Sequence, residues 1–281
     1  MQQNRYMYVQ TDNNLYLKKA EDLVSSINLS NFDIKDIKID FIEGISGLVT
    51  LLINCYKKFE NKLFLEKALY LLPFIIKKFN SKQECLTGLA HGYSGIALAI
   101  SALYNVTGDK YLYNLCIDIL RFENNHYDSE LGNWKDLRPN SDGRNNHYWC
   151  HGSAGIALSR LHILKNIGPN KLVENDLQIA TRAILDDGLK SKLDHSLCHG
   201  TFSNLLILKE INKYYADKNI NETITRTFKT LIIDIHKNGY KSGINSKNPI
   251  NNFMLGKYGL AYAILKYENS SISNNILTLT L

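Results

Sequence analysis

The sequence predicts an all-α protein assembled from repeated helix pairs. Three observations carry that expectation. A glycine-led element recurs five times along the 281 residues. Each copy opens an apolar stretch with helical spacing, and a second, more charged helical stretch follows. Almost no run shows the strict alternation of a half-buried strand.

In chain order the five elements read "IEGISGLVTLLI" at Gly44, "AHGYSGIALAIS" at Gly92, "CHGSAGIALSRL" at Gly152, "CHGTFSNLLILK" at Gly200 and "MLGKYGLAYAIL" at Gly256. Their spacings are 48, 60, 48 and 56 residues, with Ser203 replacing the second glycine of the fourth copy. The charged partners are "NKLFLEKALYLLPFIIKKF", "DKYLYNLCIDILRF", "NKLVENDLQIATRAILDDG" and "INETITRTFKTLIIDIHK". The first helix of each pair is small and apolar nearly all round, as a buried helix is. The second carries charge on one face, as an outer helix does. Polar residues 126–144, with Gly132, Pro139 and Gly143, read as an ordered loop. Such pairs close into a double-layered ring, an α/α toroid, or stack into an open solenoid. Periodicity leaves both standing. With 44% apolar residues and no flexible linker, residues 1–281 are expected to form a single domain.

Charge narrows the function. The formal net charge is +6, spread thinly, with no block of five like charges. A nucleic-acid groove and a polybasic membrane patch are not indicated, while attraction to an acidic peptide fits. The start, "MQQNRYMYVQTDNN", lacks the apolar core of a secretory signal, and no apolar run reaches membrane-spanning length. A cytoplasmic protein is expected. Its five cysteines should be reduced there, with Cys55, Cys85 and Cys116 falling in helical patterns as core residues.

Repeat equivalence places the chemistry. The residue before the first glycine is Glu43, His91, His151, His199 and Leu255 in turn; the one before that is Ile42, Ala90, Cys150, Cys198 and Met254. Equivalent positions share a layer, so His91, Cys150, His151, Cys198 and His199 should gather at one end of the helix array. Two thiolates and an imidazole suit Zn²⁺. Three such ligands leave a coordination position open, as catalytic zinc requires. A fourth, His151, would close the site and make it structural.

These residues also carry a family likeness. "DFIEGISG" (Asp40 to Gly47), "GLAHGYSGIALA" (Gly88 to Ala99), "WCHGSAGIAL" at Trp149, "CHG" at Cys198 and "FMLGKYGLAY" (Phe253 to Tyr262) resemble, in order, the LanC-like lanthionine cyclases. These enzymes close thioether rings in lantibiotic precursor peptides. The resemblance implies an α/α toroid with one Zn²⁺ per chain on Cys150, Cys198 and His199, and catalytic roles for His91 and Asp40. It implies a dehydrated precursor peptide as substrate. A dehydratase and an export transporter would be partners, in a complex peripheral to the membrane. His151, Arg144, Tyr93 and Tyr258 are expected near the substrate or around the ligands. Two departures bear on this. Only 39 residues precede Asp40, fewer than the family usually carries, which implies a ring shortened at the N-terminus or completed from elsewhere. The arginine that the family often places four residues before its first zinc cysteine is Asn146 here, with Arg144 two residues further upstream. Two other functions are compatible with the fold: addition of thiols such as glutathione, and a non-catalytic zinc-containing scaffold.

Overall fold

The computed structural model describes residues 14–81, 85–139, 141, 144–190, 194–244, 250–269, 272 and 275–280. The polar N-terminal segment through residue 13 and Gly143 lie outside them. Among the described residues, five short-residue helices form an inner layer: α2 (Ile45–Phe59), α4 (Tyr93–Thr107), α6 (Ser153–Ile167), α8 (Thr201–Tyr215) and α10 (Lys257–Glu268). Each packs on the next in sequence. The outer layer holds α3 (Lys62–Asn80), α5 (Lys110–Asn124), α7 (Lys171–Ala183) and α9 (Lys218–Asn238), with α1 (Asn14–Ser25) packed on α3. This is the α/α toroid, and it decides between ring and solenoid.

The two layers start their helices differently. Every outer helix of a pair has an Asx cap: Asn61, Asp109, Asn170 and Asp217 each accept a hydrogen bond from a first-turn N–H. Every inner helix begins on its repeat glycine with no side-chain cap. Bare glycine is required because the preceding loop folds tightly back over the helix start. At Gly152 the backbone has φ 99°, and a Cβ would collide with the Asn146 carbonyl. The first four inner helices bury nearly every side chain of their first three turns, as α6 does from Ser153 to Leu161, whereas α10 buries only Gly259, Leu260 and Ala263.

The C-terminal segment plugs the ring. A 3₁₀ turn, Ile276–Thr278, lies inside it. The Leu277 carbonyl accepts from Trp149 Nε1 at 3.1 Å, and Leu279 accepts from Asn54 Nδ2 at 3.0 Å. Asn54 within α2 and Trp149 just before α6 are thereby tied to the C-terminal segment.

Two local details differ from the sequence reading. The polar loop contains a hairpin, β1 (Tyr127–Asp128) against β2 (Asn133–Trp134), turned at Gly132 with φ 60°. It forms because Trp134 is buried and gives its indole N–H to Asn124 at 2.9 Å. Cys85 sits in the loop before Gly88, not in a helix, and is half-buried.

A buried charged network then fixes the loops onto the helices. Arg160 on α6 is fully buried. It donates to Glu123 at 2.8 Å, Asp176 at 2.9 Å and Ser94 Oγ at 2.9 Å. Glu123 in turn accepts from the N–H groups of Gly88 (2.8 Å) and Ser94 (3.2 Å). One carboxylate thus holds both ends of the loop that carries His91. Replacing Arg160 by Met should destabilise the protein by about 3–5 kcal/mol, because two buried carboxylates lose their counter-charge. A urea melt that leaves the midpoint unchanged would contradict this.

Candidate functional site

The loops before the inner helices meet in a circle at one rim of the ring. At each step the backbone N–H two residues before a repeat glycine donates to the carbonyl at the equivalent position of the next repeat. Ile42 donates to Ala90 (3.0 Å), Ala90 to Cys150 (3.3 Å), Cys150 to Cys198 (3.3 Å) and Cys198 to Met254 (3.0 Å). This ladder sets His91, Cys150, His151, Cys198 and His199 side by side, as repeat equivalence predicts.

Two groups form there. In the first, Asp40 Oδ2 lies 3.3 Å from His91 Nδ1, and Asp40 Oδ1 accepts the Glu43 N–H at 2.7 Å. Burial pushes the Asp40 carboxyl up, but the bonds from His91 and Glu43 outweigh it and hold it below its usual range. The Asp40 hydrogen bond raises His91 above an ordinary imidazole, against the effect of burial. His151 stacks on His91 with ring centroids 5.7 Å apart. Burial, helped by the charge of Arg138, pushes His151 down to about 4. It is therefore a neutral imidazole at pH 7.

In the second group, the thiols of Cys150 and Cys198 share a hydrogen bond. That bond draws Cys150 toward the thiolate and pushes Cys198 up. His199 places Nδ1 2.6 Å from Asp194 Oδ2, which orients the ring and raises its basicity. Two adjacent thiols and a carboxylate-held imidazole match the donor chemistry of a zinc-type ion. Among the described residues, the donors of Asp40, Glu43 and His91 lie within 4.8 Å of one another, while those of Cys150, Cys198 and His199 do not close to that spacing as a trio. Asp40 and Glu43 are nonetheless engaged already, by His91 and by an ion pair with Lys38.

The remaining expected residues lie apart from these groups. Tyr93 is buried in α4, edge-on to Phe79 and stacked on His126. Tyr258 is 57% exposed at the start of α10. Arg144 is exposed on the polar loop. Sequence reasoning missed Arg138. Asp136 grips its guanidinium at 3.0 and 2.6 Å and also accepts from Asn146 Nδ2 at 2.7 Å. Its charge acts on Cys150, Cys198, His151 and His199. So Asn146, where an arginine was looked for, helps hold the carboxylate that positions one. No sequence signal marks this, because the contact spans a loop. Asp194 was also missed, though an acid five residues before a candidate ligand was a readable hint.

Comparisons with known proteins agree with this architecture. Residues 4–280 match the family model described as "Lanthionine synthetase C-like protein". The lacticin 481/lactococcin biosynthesis protein LcnDR2 of Lactococcus lactis subsp. lactis is 27% identical over 238 residues, covering 81% of this chain and 25% of that protein. The glutathione S-transferase LANCL1 of Danio rerio is 30% identical over 128 residues, 43% of this chain and 29% of that protein. The matched regions therefore span less than a third of either curated relative. The structure of nisin cyclase superposes with a TM-score of 0.73 at 17% identity, over 98% of this chain and 76% of that chain, a likeness of fold.

The Asp40–His91 pair makes a checkable statement about pH. Folded His91 binds its proton more tightly than an unfolded histidine. Its contribution to stability is thus present below pH 6.5 and is lost as pH rises through the raised midpoint. Asp40→Asn should lower the His91 midpoint in an NMR titration. The stability gap between wild type and variant should narrow above the wild-type midpoint.

Proposed function

The chain belongs to the lanthionine synthetase C-like family, and from that footing we propose that it closes thioether rings in a dehydrated precursor peptide. The observation that carries the reading is the pairing at one rim of a two-thiol, one-imidazole donor set with a carboxylate-supported histidine. In this reading Cys150, Cys198 and His199 hold one Zn²⁺, with His199 drawn closer to the thiol pair. When bound, the ion supplies acidification of an incoming peptide thiol at neutral pH.

The chain's own residues supply the rest. The peptide thiolate adds to the β-carbon of a dehydroalanine or dehydrobutyrine, forming the C–S bond. The alkene electron pair moves to the α-carbon as an enolate. His91, whose hold on its proton Asp40 strengthens, gives that proton to the α-carbon and is restored by the proton the thiol released. His151, neutral and stacked on His91, packs that side of the site without competing for the proton. Asp194 fixes the His199 tautomer. Arg138 offsets the charge of the thiolates and favours the negative charge that develops on the enolate. The same reading takes the chain as one LanC-like domain, acting in the cytoplasm with a dehydratase and an export transporter as partners. No helix among the described residues is long and apolar enough to cross a membrane.

A second reading has one observation in its favour, the likeness to a protein named as a glutathione S-transferase. There the same rim would add glutathione to a dehydrated residue. Incubating the protein with dehydrated, cysteine-containing peptide, with and without glutathione, separates the two by mass. Ring closure leaves mass unchanged and removes free thiol, whereas glutathione transfer adds a tripeptide.

Two outcomes are expected for the ring-closing reading. His91→Ala should slow ring closure by about 10²–10⁴-fold with metal content intact. Asp194→Asn should weaken zinc binding by about 10–100-fold, measured by chelator competition. Wild-type protein that takes up no zinc under reducing conditions would end the metal part of the reading.

A further inference from the structure

The rim opposite the cysteines has a chemistry of its own. Four of the five inner helices, α2, α4, α6 and α8, are 15 residues long, so their C-terminal ends lie about 22 Å away along the axis. There the ring opens into a cavity of about 690 Å³, bounded on one side by Asn275, Thr278 and Thr280 of the C-terminal plug. The same repeat register that builds the cysteine rim builds this one. Thirteen residues after the first glycine of repeats one to four stand Lys57, Asn105, Lys165 and Lys213. All four line the cavity, and Lys209 and Lys266 join them.

The charge there is not cancelled from within. Glu210 is the one carboxylate among the described lining residues. It is already bound by His162 (2.7 Å), Lys165 (3.0 Å) and Asn275 (2.5 Å). Lys57 and Lys213 make no ion pair with a described carboxylate; Lys57 reaches only the Asn166 amide oxygen, at 3.5 Å. Lys209 donates to the Tyr267 carbonyl, a neutral acceptor, and Lys266 donates to the Ile272 carbonyl at 3.2 Å among its contacts. Exposed Glu268 also stands near Lys209. A helix C-terminus carries about half a negative charge, less than the lysine charge that each of α2, α6, α8 and α10 places in its last turn. Burial and then the charge of Lys213 push Lys209 down. Burial pushes Lys266 down too, with Lys213 and Lys209 adding to it and Glu210 opposing, so Lys209, Lys213 and Lys266 repel one another across a shared space.

We propose that this cavity is a binding site for a small anion carrying two or more phosphate groups. The volume is that of a small-molecule site. The lining offers compact ammonium charges from four helices, with no arginine fork to prefer a planar carboxylate. Tetrahedral phosphates direct oxygens to donors converging from several sides. Thr50, Thr278 and Thr280 and the lining asparagines add neutral polar groups. The site is separate from the cysteine rim and independent of the ring-closing reading.

The test is calorimetric titration of the full chain with inorganic pyrophosphate at low salt. Citrate and hexaglutamate serve as comparison arms. Pyrophosphate is expected to bind more tightly than either, with affinity falling as salt rises. Lys57→Gln and Lys213→Gln should each weaken it by about tenfold or more, the loss of one charge-assisted contact. Replacing Lys18 and Lys19 on α1 by Gln should leave it unchanged. Removing Lys213, which repels Lys209 and Lys266, should also raise the thermal midpoint without anion, which separates lost binding from lost folding. Three results each overturn the proposal: no heat or thermal shift with millimolar pyrophosphate, equal binding by the Lys57 and Lys213 variants, or preference for hexaglutamate or citrate.

Discussion

The backbone ladder around the cysteine rim is the constraint on which the rest of the structure depends. Each rung joins the same position of two successive repeats, so side chains far apart in sequence are set one rung apart in space. Cys150 and Cys198 are neighbours because the N–H of one donates to the carbonyl of the other. The ladder also explains the glycines that follow it. A loop that spends its backbone groups on its neighbours must fold tightly over the helix it precedes, and no Cβ fits between them. Side-chain caps therefore belong to the outer helices, whose starts face solvent.

The inner helices run parallel in function as well as direction. The loops at the N-terminal ends of α4, α6 and α8 present imidazole, joined by thiols before α6 and α8, and the C-terminal ends of α2, α6, α8 and α10 present lysine. One repeat register delivers both, since a helix of fixed length carries any repeated position to a fixed rim. The Arg160 network works at right angles to this order. It ties α4, α5, α6 and α7 to one another and clamps the His91 loop through Glu123, so the site's geometry rests on a charge buried in the wall of the ring. Such a charge is stable only while every partner is present.

Much of this was legible from residues alone, because repetition substitutes for distance. The five glycines located the inner helices. The Asx-Lys steps at Asn61, Asp109, Asn170 and Asp217 mark where four outer ones begin. The layer argument put His91, Cys150, Cys198 and His199 together, and the ladder joins their loops. What was not legible came from contacts between unlike segments. The hairpin around Gly132 forms because Trp134 finds Asn124. Arg138 reaches the thiols through Asp136 and a loop of no fixed period. The lysines of the far rim were scattered charge until the helices were set upright in a ring.

By itself the sequence determined the helix pairs, their inner and outer roles, and the family likeness, since periodicity, small residues and caps are local properties of a chain. Only the tertiary structure decided that the ring closes around its own C-terminal segment, that His199 leans on Asp194 while His151 stacks on His91, and that Arg160 is buried among carboxylates. Those outcomes depend on which side chain is nearest once the layers have closed. Two identical Cys-His-Gly words, 48 residues apart, thereby acquire histidines with opposite proton affinities: one pushed down by burial, the other raised by a carboxylate.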